Sequence, residues 1–77
     1  MDIKEYFREN RRKILEFIDE EGETTSMELA EEFDLHPVTA SIKLRRLHKN
    51  GWLSREWVYR GKYHIYRIRR PELLETY

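Results

Sequence analysis

Between Pro37 and Arg55 the sequence sets five cationic side chains, Lys43, Arg45, Arg46, Lys49 and Arg55, with no acid among them. Ammonium and guanidinium groups gathered in this way suit a polyanion, because each phosphate they neutralise releases condensed counterions. Thr39 and Ser41, just upstream, are short hydroxyl side chains that reach a phosphate or a base edge only at close approach. Val38 and Ile42 stand among them, and an isoleucine there is suited to packing on a thymine methyl group. A second cationic pair, Arg60 and Lys62, brackets Gly61. Other chemistry is not assembled. His36, His48 and His64 are scattered without metal-ligand spacing. There is no cysteine, hence no disulfide framework, thiolate nucleophile or Cys-ligated zinc. No carboxylate pair is flanked by a nucleophile or base, and no Gly-rich phosphate loop is present. An enzyme, a cofactor and a bound metal are therefore not expected.

The formal net charge is zero, yet the charge is divided along the chain. Residues 1–35 hold twelve acids and five bases, whereas residues 36–70 hold ten bases and one acid, Glu56. Two more acids fall in residues 71–77. A partner meets the local field, so an anionic partner is expected on the second half, with the acidic first half turned away. The plainer alternative is that the two halves neutralise each other.

The elements that must position these residues follow from periodicity. Seventy-seven residues with ten aromatics suit one small folded domain over residues 1–77. The mixed-charge start is unlike a signal peptide, and no apolar run approaches membrane-spanning length. A soluble, cytoplasmic protein without a membrane partner is expected. Ile3, Phe7, Ile14 and Ile18, widened by Leu15 and Phe17, predict a first helix over 3–21, with Asp2 as N-cap and Gly22 as its end. Residues 3–8 form an apolar patch of their own, because Asn10 and Arg11 interrupt the stripe. The capping box formed by Thr25 and Glu28 opens a second helix over 25–33, with Leu29, Ala30 and Phe33 inward. Pro37, in the first turn and behind a capping His36, opens a third helix over 37–50 that Gly51 ends. Its buried face is Ala40, Leu44 and Leu47. The opposite face presents Val38, Ile42, Arg45, Arg46 and Lys49, flanked by Thr39 and Ser41. Aromatic and β-branched residues then predict two strands over 52–69, joined by a turn at 60–62. Leu53, Trp57, Tyr66 and Ile68 are the core candidates there, with Val58, Tyr63 and Ile65 on the other face. Trp52 and Trp57 are expected as core or subunit contacts. Pro71 opens a last short segment over 71–77.

Three helices followed by a basic-tipped hairpin make an α+β arrangement, with the second and third helices in a helix-turn-helix. "TSMELAEEFDLHPVTASIKLRRLHKNGWL", with the hairpin ending "YRI", resembles the winged helix-turn-helix core of small MarR-like and ArsR-like transcription regulators over roughly residues 11–69. "ELAEEF" matches that family's second helix and "LRRLHKNGWL" the end of its recognition helix. The resemblance implies sequence-specific binding of double-stranded DNA. It implies that Val38, Thr39, Ser41, Ile42 and Lys43 enter the major groove and that Arg46 and Lys49 contact the backbone, beside Arg45. It puts Arg60 and Lys62 at the wing tip, along a minor groove or flanking backbone. Ile42 stands where these regulators often carry a polar or basic residue, and His36 where Ser or Thr is usual. The competing function is a winged-helix protein-interaction module, whose basic face would meet an acidic protein surface. Ile3, Tyr6 and Phe7 at one end, with Leu73, Leu74 and Tyr77 at the other, exceed what one small core takes up. They imply a homodimer, the competing account being that the two ends pack on one another within a single chain. No small-molecule effector is evident.

Overall fold

The computed structural model describes residues 3–69, without the side chain of Ile3. Its elements are α1 (Ile3–Glu21), α2 (Ser26–Glu32), α3 (Pro37–Lys49), β1 (Leu53–Val58) and β2 (Tyr63–Ile68). The Asp2 cap and the segment 71–77 lie outside the described residues.

Each helix boundary has a local cause. Gly22 takes φ +87°, the left-handed region that favours glycine, and its N–H donates to the Ile18 carbonyl at 2.8 Å. Thr25 Oγ1 accepts from the Glu28 N–H at 3.2 Å and donates to the Glu28 carboxylate at 3.3 Å. The box thus closes through the hydroxyl rather than through the Thr25 amide. Asp34, at φ +53°, turns the chain between α2 and α3, and the Leu35 N–H reaches the Ala30 carbonyl at 2.8 Å. His36 Nδ1 accepts from the Val38 N–H at 3.1 Å and so caps α3. At the other end, Gly51 N–H donates to the His48 carbonyl at 3.1 Å and Trp52 N–H to the Leu47 carbonyl at 2.9 Å. This is the paired bonding of a Schellman stop, with Gly51 at φ +89°.

The core gathers Ile14, Leu15 and Ile18 of α1, Leu29 and Ala30 of α2, Ala40, Leu44 and Leu47 of α3, and Leu53 and Tyr66 of the hairpin. Phe17, Phe33, Leu35, Trp52 and Ile68 pack around it. The strands pair antiparallel, with Leu53 opposite Ile68, Arg55 opposite Tyr66 and Trp57 opposite His64 on one face. Val58, Tyr63 and Ile65 take the other face, as expected.

Three features depart from the sequence expectation. Trp57 is not core: it lies on the correct face of β1 but is 48% exposed, because the hairpin outruns the helices and the buried layer stops at Tyr66. The turn spans 59–62 rather than 60–62, closed by the Lys62 N–H on the Val58 carbonyl at 2.8 Å. The third is an unforeseen bridge between Thr24 and Tyr66, with N–H to carbonyl bonds of 2.9 and 2.8 Å. Thr24 is fully buried, and its hydroxyl donates to the Thr25 carbonyl at 3.1 Å. That bridge ties the hairpin to the connection between α1 and α2.

Candidate nucleic-acid interface

With Ala40, Leu44 and Leu47 committed to the core, the helical period decides what α3 shows to solvent. Val38, Ile42, Arg45 and Lys49 recur at intervals of four, three and four, and form one stripe. Val38 is 59% exposed and Ile42 is 36% exposed. Thr39, Arg45, Arg46 and Lys49 are exposed as well, while Ser41 and Lys43 are half-buried on the flanks. Eight of the ten expected residues are therefore brought together on one helix. Arg60 and Lys62 are not on that stripe; both are exposed at the hairpin turn. Lys62 adopts φ +55°.

The ion pairs lie elsewhere. Arg12 bridges Glu9 at 3.1 Å and Glu16 at 3.3 Å, and Arg67 bridges Glu56 at 2.8 Å and Glu23 at 3.2 Å. Hydrogen bonding to Glu56, then to Glu23, raises the Arg67 pKa further above its ordinary value. Among the described residues, none of Lys43, Arg45, Arg46, Lys49, Arg60 and Lys62 forms an ion pair. Direct ion pairing of acids with bases among the described residues therefore does not engage these six cations, which stay available to a partner.

Two histidines position the interface without facing it. His36 fixes the first turn of α3, as above. His48 Nδ1 lies 3.0 Å from the Leu53 carbonyl, a bond that holds the end of α3 to the start of β1 when this nitrogen carries the proton. His64 packs edge-on against Trp57, with ring centroids 4.9 Å apart. Burial, then the charges of Arg55 and His48, pushes the His64 pKa down. No group of three or more His, Cys, Asp and Glu among the described residues is arranged to hold a metal ion.

A concavity of about 380 Å3 runs along α1, lined by Leu15, Trp52 and Ile68 and by the charged Arg8, Arg11, Arg12, Glu16 and Asp19. The Arg11 guanidinium lies 5.1 Å from the centre of the Trp52 ring, within cation–π range. Sequence reasoning missed this groove. Arg11 interrupts the apolar stripe of α1, but no local signal pairs it with a tryptophan that follows α3.

A model of the MarR family matches residues 8–57, from the first half of α1 through α2 and α3 into β1. The chain belongs to the MarR family. Members of that family are DNA-binding transcription regulators rather than enzymes, and the three helices with an antiparallel hairpin are their winged-helix fold. The MarR match takes in all of α3 and ends before the hairpin turn, so Arg60 and Lys62 lie beyond it. Comparison with curated proteins and with solved structures returned no match. No helix among the described residues is long and apolar enough to cross a membrane.

Proposed function

We propose that this MarR-family chain binds specific sites on double-stranded DNA as a homodimeric cytoplasmic transcription regulator. The α3 helix enters the major groove. Val38, Thr39, Ser41, Ile42 and Lys43 lie nearest the bases, and Arg45, Arg46 and Lys49 hold phosphates. Arg60 and Lys62 hold the flanking backbone or minor groove. The observation that carries this reading is the outer stripe of α3, where exposed cations that form no ion pair among the described residues surround two exposed apolar side chains. Phosphates supply affinity to such cations, and base edges supply specificity to the short and apolar groups between them. The excess of acids in residues 1–35 supports the orientation, since it disfavours DNA contact through that half.

The dimer rests on Tyr6 and Phe7, which are 55% and 58% exposed and meet edge-to-face at 5.6 Å. Two adjacent exposed rings on one helix suit an isologous contact across a two-fold axis. Leu73, Leu74 and Tyr77, expected in the same contact, lie outside the described residues. Such a dimer sets two recognition helices about 34 Å apart, one DNA turn, and favours a palindromic site. Selection of bound duplexes from a random pool tests the whole reading: a palindromic consensus is expected. Binding with no salt dependence would assign the α3 face to an acidic protein surface instead. Sedimentation at micromolar concentration tests the assembly, and a strict monomer both free and on DNA would remove the dimer.

A further inference from the structure

We propose that the hairpin tip is an aromatic wedge, in which Tyr59 stacks into a deformable base step flanking the site that α3 reads. This rests on the DNA reading above and adds a second specificity determinant to it. Tyr59 is 85% exposed, more than any other large apolar side chain among the described residues. It enters no ring contact or hydrogen bond there. A lone exposed tyrosine on a turn would need no explanation. This one is followed by Arg60 and Lys62, both exposed and neither in an ion pair among the described residues. Trp57 and Tyr63, on the last rungs below it, are 48% and 42% exposed.

Local contacts close the turn that carries the ring. Lys62 N–H closes the turn on the Val58 carbonyl at 2.8 Å. The Tyr63 ring lies over Gly61 so closely that any Cβ at that position would collide with it. A side chain at Gly61 would have to displace the exposed Tyr63 ring, which covers the turn from below. Trp57 is similarly engaged with His64. Tyr59 is left as the free ring. An exposed π face beside two cations that form no ion pair among the described residues is the chemistry of a nucleic-acid contact: the cations take phosphates and the ring takes a base. Wedges of this kind enter where unstacking costs least, at pyrimidine–purine steps such as TA.

The experiment uses the full chain and a duplex selected from a random pool, with 2-aminopurine placed in a TA step of the flank. Wild type should raise the 2-aminopurine fluorescence on binding. Tyr59→Ala should abolish the rise and weaken binding roughly tenfold, the loss of one base–aromatic stack. Tyr59→Phe should retain both, because stacking needs the ring and not the hydroxyl. Exchanging the TA step for G·C pairs should weaken wild type and leave Tyr59→Ala unaffected. Tyr59→Ala with wild-type affinity and an undiminished rise would overturn the wedge while leaving α3 recognition standing. So would wild-type binding without any rise at the flank. Absence of salt-dependent duplex binding in wild type would overturn the DNA reading and the wedge with it.

Discussion

Two apolar residues of α3, two positions apart, should fail in opposite ways when cut to alanine. Leu44 is fully buried between α3 and the rest of the core. Leu44→Ala leaves a cavity that the surrounding helices fill only partly, at a cost of about 3 kcal/mol. A chain of this length has roughly 4–12 kcal/mol of stability in all, so the loss takes a quarter or more of it. The melting temperature should fall on the order of 15 °C. Ile42 lies on the outer stripe with a third of its surface open to water. Ile42→Ala should cost only about 1–2 kcal/mol of stability but remove ~1 kcal/mol of discrimination at a thymine position. Thermal unfolding followed by far-UV circular dichroism gives the first quantity. Affinity for a selected site and its single-base variants gives the second. If Ile42→Ala melts as early as Leu44→Ala, the faces of α3 have been assigned wrongly. If it keeps the wild-type base preference, Ile42 does not read the site.

Arg46→Ala and Lys49→Ala should each weaken binding to every duplex alike and flatten the dependence of log affinity on log salt by about one; a change confined to one sequence would make the residue a base reader. His64 gives a pH signature of known sign. Its folded-state pKa is lowered, so the unfolded chain binds more protons over that range. Its contribution is intact above the ordinary histidine value of about 6.5 and is lost as pH falls below it. His64→Gln should remove that part of the acid slope in urea titrations, and an unchanged slope would place the sensitivity elsewhere.

The helices were legible because their signals are local. The Thr25–Glu28 box, Pro37 behind His36, and the two left-handed glycines mark ends that sequence spacing alone predicts. The outer face of α3 was legible for the same reason, since three core positions fix the phase of the whole helix. What escaped depends on tertiary distance. The Thr24–Tyr66 bridge joins residues far apart in the chain, and Thr24 shows no alternation that would announce a strand. Trp57 has the correct parity for the core, but parity does not reveal where the helical layer ends. The Arg11–Trp52 contact and its groove are likewise products of packing between α1 and the entry to the hairpin.

The location of the DNA contact is tested most directly by amide chemical-shift changes across the labelled chain during titration with a selected duplex. The expected result is that the largest changes fall in residues 38–49 and 59–62, while α1 around Arg8 and Arg11 stays quiet. Changes concentrated on the α1 groove, with α3 unmoved, would contradict the assignment of α3 as the reading helix.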